Sequence, residues 1–259
     1  MGEAVILGHA QAYLEAVRTP IGKRNGALRE VRPDALYAHV LNALSVFAPR
    51  SNLRRTGIDP ARIVASPSGE RREDVVTGCV TQAGEQGANI GRLGVLLSDL
   101  PREVPAGSLN RMCGSSQQAI HFAAQAVAAG DMRYAIAGGV ESMTRAPMFS
   151  DIRGGFETLN PALHKKYEPI HQGESAERIA ERYGLTRREL DEDSYASHLK
   201  AARATKAGYF QGQIEPLKGL NANGNPFTLS WDEGIRFEPD LERMFQLPPA
   251  FRAEGGVTA

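Results

Sequence analysis

Along this chain, short extended apolar runs alternate with stripes of helical spacing, a pattern that predicts an α/β layered domain. Ala12 to Val17 reads as a strand. Pro33 to Phe47 carries Leu36, Val40, Leu41, Leu44 and Phe47 on one stripe, the spacing of an amphipathic helix. Asp74 to Val80 is a second extended run, and Asn89 stands where a cap is wanted for a helix over Ile90 to Leu97. Glu103 to Leu109 reads as extended, because no helix continues past Pro105. From Gln117 to Ala129 the apolar residues Ala119, Ile120, Phe122, Ala123, Ala126 and Val127 return to helical spacing, and Gly130 supplies the stop. Tyr134 to Gly139 is a strand ending on paired glycines.

Beyond about Met143 the pattern changes. Arg145 to Pro169 holds Pro147, Gly154, Gly155, Pro161 and Pro169 with little periodicity and reads as ordered loop. Two helices follow: Glu174 to Tyr183, stopped by Gly184, and Arg187 to Ala207, opened by a Thr186/Glu189 capping box and stopped by Gly208.

One residue stands at a junction with chemical meaning. Cys113 lies where the extended segment ending at Leu109 turns into the helix that begins near Gln117. A thiol there faces unpaired N–H groups and the positive end of the helix dipole, which draws its pKa down from about 8.5 and makes the thiolate available. The same N–H groups suit an oxyanion. The competing reading is a buried packing cysteine in a small-residue turn.

Composition narrows the function classes. The 259 residues are 42% hydrophobic and 23% charged, enough for a sizeable core in one or two globular domains. Thirty basic residues balance thirty acidic ones, so charge gives no case for nucleic acid or an anionic membrane. The two cysteines, Cys79 and Cys113, lack the paired spacing of a metal site and fit a reduced cytoplasmic setting. Val5-Ile6-Leu7 followed by Ala10-Gln11-Ala12 mimics a secretory signal only faintly, since the run is short and no basic region precedes it. No stretch approaches the roughly 20 apolar residues of a spanning helix.

The residues around Cys113 add a likeness. Leu109-Asn110 and Cys113-Gly114-Ser115-Ser116, followed by Ala119-Ile120 and Val127, resemble the acyl-enzyme signature of the thiolases. The resemblance runs in the family's order from Glu15-Ala16-Val17-Arg18-Thr19-Pro20-Ile21-Gly22 through Gly78-Cys79-Val80-Thr81-Gln82 and Ala137-Gly138-Gly139-Val140-Glu141-Ser142-Met143-Thr144. It continues to Gly173-Glu174-Ser175-Ala176-Glu177 and Asp232-Glu233-Gly234-Ile235-Arg236.

The resemblance implies a thiolase-like α/β fold, a layered mixed sheet with helices and an inserted loop domain. Residues 1–143 would be the N-terminal α/β domain, with 1–11 as an extension, and 144–259 the loop domain that covers CoA. The final strand of that domain and the C-terminal half are expected to be missing, and with them a His that activates the nucleophile, a water-positioning Asn and a second cysteine. Cys113 would take an acyl group from a CoA thioester, in Claisen condensation of acetyl-CoA or thiolysis of 3-ketoacyl-CoA. Leu163 and His171 would line the acyl-pantetheine tunnel, Arg236 would meet the CoA phosphates or adenine, and Ala259 would neighbour the pantetheine. Acyl-CoA and CoA are the expected ligands, with no metal or resident cofactor. A homo-oligomer, dimer or tetramer, is expected, meeting near Val104 to Asn110.

The chain also departs from the family pattern. It carries extra residues around Phe47 to Leu53 and Ala65 to Glu73, neither with a chemical motif. Cys79 matches a position with no catalytic task. His121 lies eight residues past Cys113, about 12 Å up an ideal helix, too far to be its base. Two other readings stay open: a non-catalytic CoA-binding or dimerising module, and one subunit of a split enzyme whose partner brings the second half.

Overall fold

A computed structural model describes residues 2–7, 13–47, 73–152 and 155–258. Their contacts cluster into two units, residues 1–151 with 211–233 and residues 152–210 with 234–259.

In the first unit five strands make one sheet: β1 (Gly2–Leu7), β2 (Tyr13–Arg18), β3 (Glu73–Gly78), β4 (Ala106–Leu109) and β5 (Tyr134–Val140). Their order is β2-β1-β5-β3-β4. Strand β1 runs antiparallel to both neighbours, whereas β5, β3 and β4 are mutually parallel. Side chains alternate faces along a strand, and the apolar residues divide accordingly. Val75, Cys79, Tyr134, Ile136 and Val140 pack with Leu36, Tyr37, Val40, Leu41 and Leu44 of α1 (Pro33–Phe47) and Ile90 and Val95 of α2 (Ile90–Leu97). Ala135 and Ala137 pack with Ala119, Ala123 and Val127 of α3 (Ser115–Ala129) on the other face. Every residue of β5 is buried, as a central strand covered on both faces requires. The result is an α/β mixed sheet with helices on both sides. Each fully buried leucine of α1 contributes about 1.5–3 kcal/mol to this core.

The helix ends follow the sequence signals. Asn89 caps α2, its side chain accepting from the Arg92 amide, and Gly130 closes α3 in the left-handed conformation. Tyr37 is buried completely and its hydroxyl accepts from Thr77 Oγ1 at 3.0 Å, which satisfies a polar tip inside an apolar layer.

Residues 211–233 hold β6 (Leu217–Leu220) and β7 (Pro226–Leu229), an antiparallel pair that clusters with the first unit. Their tail fastens the turn after β2. Arg18 makes a bidentate pair with Asp232, at 2.7 and 2.9 Å, and Glu233 accepts from the amides of Lys23 and Ala27. Burial raises the Asp232 carboxyl, but Arg18 and the Ile21 amide outweigh it and hold the group below its ordinary 3.8. A carboxylate depressed in the folded state stabilises it above the unfolded pKa and loses that contribution as pH falls. We therefore expect wild-type stability to drop below about pH 4, and Asp232→Asn to flatten the drop. Thermal melts across that range check it, and equal acid slopes for the two proteins would contradict it.

The second unit is mostly helical, with α4 (Pro161–Lys166), α5 (Gln172–Tyr183), α6 (Arg187–Lys206) and α7 (Leu241–Phe245). The predicted capping box is present: Thr186 accepts from the Glu189 amide and Glu189 from the Thr186 amide. Glu177 of α5 is buried, and accepts from the amides of Gly256 and Val257 at 2.9 and 3.0 Å.

Three places differ from the sequence reading. Residues 2–7, taken as part of an extension, form β1 inside the sheet. The stretch read as loop contains the short helix α4, capped by Asn160 with Pro161 at its first position. Residues 211–233, left with the inserted segment, cluster with the first unit. The extra segments around 47–53 and 65–73 fall almost wholly outside the described residues.

Candidate active site

The parallel strands β3, β4 and β5 deliver three loops to one side of the sheet, at their carboxyl ends, where open α/β sheets bind ligands. The loop after β4 carries Cys113. It is exposed, and α3 begins two residues later.

The turn that presents Cys113 is strained and held. Met112 has φ +50, a left-handed conformation that costs a side chain about 1–2 kcal/mol. Local bonds offset that cost. Asn110 Oδ1 accepts from the Met112 amide at 2.8 Å, and the Met112 carbonyl accepts from the Ser115 amide and hydroxyl at 3.0 and 2.6 Å. Ser115 Oγ also accepts from the Arg111 amide at 2.9 Å. Arg111 in turn donates to Gln118, one turn into α3.

Glycines bring this turn onto the sheet. Gly78 ends β3 and pairs in register with Gly139 of β5. A Cβ on Gly78 would stand 2.4 Å from the backbone of Ser115 and Ser116, and one on Gly139 would stand 2.1 Å from Ser116 Oγ. The start of α3 therefore rests on bare backbone.

A cavity of about 280 Å³ opens beside the thiol, lined by Gly78 to Thr81, Met112, Cys113, Ser115, Ser116, Gly139 to Glu141, Met143 and Met148. None of these described residues is a histidine. Glu141 is its carboxylate, already engaged by donors: Oε2 accepts from the Val80 amide at 2.8 Å and Oε1 from Gln86 Nε2 at 2.7 Å and the Thr81 amide at 3.3 Å. Cys79 Sγ lies 3.8 Å from the same carboxylate. Burial, then the Glu141 charge and their hydrogen bond, push the Cys79 thiol up to about 12. Cys79 is thus a buried thiol held toward its protonated form. The expected consequence is selective labelling: iodoacetamide modifies Cys113 in the folded chain, and Cys79 only after unfolding. Peptide mass spectrometry reads this, and prior reaction at Cys79 would contradict it.

The other candidates belong to the second unit. Leu163 lies on α4 and is exposed. His171 caps α5, its Nδ1 accepting from the Gly173 amide at 3.1 Å, and its ring lies against Phe251 with centroids 5.4 Å apart. The Arg236 side chain is exposed, and its amide donates to His198 Nδ1 at 3.3 Å. Ala259 is outside the described residues. Among the cavity residues, Glu141, Met143 and Met148 had no task in the sequence reading. A charged residue directly after a fully buried strand with paired glycines was the signal for Glu141.

Comparison with known proteins identifies the family. The family profile described as "Thiolase, N-terminal domain" matches residues 12–259. A beta-ketoadipyl-CoA thiolase of Acinetobacter baylyi is 36% identical over 96% of this chain and 62% of its own length. A 3-ketoacyl-CoA thiolase of Aliivibrio fischeri is 38% identical over 95% of this chain and 59% of its own. A probable acetyl-CoA acyltransferase of Staphylococcus epidermidis is 36% identical over 95% and 60%. The chain thus spans about 60% of the length of the curated relatives it matches. No helix among the described residues is long and apolar enough to cross a membrane. With its profile match covering nearly the whole sequence, the chain belongs to the thiolase family.

Proposed function

We propose that this chain supplies the acyl-accepting part of a thiolase-type acyltransferase, with Cys113 as the catalytic nucleophile. One observation carries the reading: an exposed thiol stands at the start of α3, on a strained, hydrogen-bonded turn seated against glycine backbone. The Cys113 thiolate attacks the carbonyl carbon of an acyl-CoA. An S–C bond forms to the cysteine, the bond to the CoA sulfur breaks, and CoA leaves as a thiolate that collects a proton from solvent. The Cys113 amide, just before the helix start, stabilises the tetrahedral oxyanion. The acyl group then passes to a second acetyl-CoA as its enolate, or back to CoA after cleavage of a 3-ketoacyl-CoA. The names of the relatives, thiolases for beta-ketoadipyl-CoA and 3-ketoacyl-CoA, support CoA thioesters as the substrate class.

Leu163 and His171 line the acyl-pantetheine path in this reading, Arg236 meets the CoA phosphates, and Ala259 neighbours the pantetheine. Guanidinium suits phosphate by its forked donor geometry. The two unpaired thiols fit a reducing cytoplasm. Mixing the chain with acetyl-CoA tests the reading, which expects a burst of free CoA stoichiometric with protein and absent from Cys113→Ala. An equal burst from the variant would overturn it.

The assembly belongs to the same proposal. Strand β4 ends the sheet's order, and its outer edge offers backbone groups to another chain. The chain is expected to sediment at micromolar concentration as a dimer or larger, and a monomer would count against this.

A further inference from the structure

One connected set of hydrogen bonds outside the assigned residues leads from the core to the thiol. From the core outward, buried Gln86 donates to Glu141 Oε1 at 2.7 Å. Glu141 Oε2 accepts from the Val80 amide at 2.8 Å. The Val80 carbonyl accepts from Asn110 Nδ2 at 2.8 Å. Asn110 Oδ1 accepts from the amide of Met112, the strained residue directly before Cys113. A second tie runs in parallel, from the Cys79 amide to the Leu109 carbonyl at 3.0 Å.

We propose that Asn110 and Glu141 are positioning residues that fix the direction of the Cys113 thiol through this chain of bonds. The inference rests on the reading of Cys113 as nucleophile. Two chemical features make the residue types specific. Each partner named for Glu141, the Val80 and Thr81 amides, Gln86 Nε2 and the Cys79 thiol, is a donor, so the site requires a group that only accepts. A glutamine of the same shape places an NH₂ against donors. Asn110 must donate with one atom and accept with another, because it joins a carbonyl to an amide. An aspartate of the same shape keeps the acceptor and sets a negative oxygen against the Val80 carbonyl.

The restraint matters because Met112 occupies a backbone conformation that a side chain leaves readily once its local bonds go. Acylation needs the sulfur aligned on a thioester carbonyl, whereas a small alkylating reagent needs only an exposed thiol. The two reactions therefore separate positioning from mere integrity of the fold.

The test uses the full 259-residue chain and the variants Asn110→Asp and Glu141→Gln. Three quantities are read: hydrogen exchange of the 110–116 peptide, iodoacetamide labelling of Cys113, and acetylation of Cys113 by acetyl-CoA. In both variants, exchange at 110–116 is expected to rise and acetylation to fall, each by about tenfold or more, while iodoacetamide labelling stays within about twofold. Asn110 is exposed, so Asn110→Asp keeps the fold even where Glu141→Gln weakens it. Wild-type exchange and acetylation in Asn110→Asp would overturn the inference, as would acetylation and labelling falling in step. If the wild type takes no acetyl group, the reading of Cys113 fails, and exchange at 110–116 still decides whether these residues hold the turn.

Discussion

A 259-residue polypeptide of this sequence is expected to accept one acetyl group on Cys113 and to show no sustained thiolysis of acetoacetyl-CoA. Acylation asks for a reachable thiol beside amide donors, and Cys113 is exposed two residues before α3 begins. Turnover asks for more: a base at the acetyl methyl group or the incoming thiol, and donors for the enolate oxygen. None of the described residues lining the Cys113 cavity is a histidine. Its carboxylate, Glu141, is committed to structural donors, and its second thiol, Cys79, is pushed up to about 12 by burial first and by Glu141 second. Loss of a single oxyanion donor costs about 10²–10³ in rate, and with no free base among the described lining residues turnover is expected to stay below detection. Disappearance of acetoacetyl-CoA in the presence of CoA measures it. Sustained turnover that Cys113→Ala abolishes would contradict this account and direct the search for a base to His171.

The second large effect is expected from a single methyl group. Gly139→Ala places a Cβ 2.1 Å from Ser116 Oγ and 2.6 Å from the Gly78 carbonyl oxygen, and Gly78→Ala places one 2.4 Å from the backbone of Ser115 and Ser116. At Gly78 the opposing atoms are backbone and cannot give way as a flexible side chain would, so the start of α3 must lift from the sheet. At Gly139 the Ser116 hydroxyl can turn aside but the Gly78 carbonyl cannot, so strand and helix shift together. Overpacking of this kind costs about 1–3 kcal/mol, or roughly 2–12 °C in melting temperature at 2–4 °C per kcal/mol. The chemical loss is larger, since a shift of about 1 Å at a reacting atom is worth about 10²-fold. Both variants should therefore melt lower and acetylate far more slowly, whereas Gly212→Ala, with no atom within 4 Å of its new Cβ, should do neither. Gly78→Ala behaving as wild type in both assays would refute the close seating of α3.

Much of this was legible because α1, α2 and α6 announce themselves locally. The Leu36 to Leu44 stripe, the Asn89 cap and the Thr186/Glu189 box each combine a period with a start signal. Cys113 was legible for a related reason: a strand, a turn and a small-residue helix meet there in consecutive sequence. Strand β1 was not, because a six-residue run reveals its partners only through its register with β2 and β5. Helix α4 hid among prolines that signal loop, although Asn160 and Pro161 are also a cap and a first helical residue. The β6–β7 pair is four residues per strand, too short for a period to show. Glu141 and Asn110 carried no task in the sequence because their meaning lies in bonds to Val80, about 60 and 30 positions away in the chain.

The central claim is that Cys113 carries the acyl group as a thioester, and a peptide mass map after brief incubation with acetyl-CoA tests it most directly. The account predicts the mass of one acetyl group on the peptide containing Cys113, removable by neutral hydroxylamine, and none on the peptide containing Cys79. An unmodified Cys113, or an acetyl group found on another residue, would contradict it.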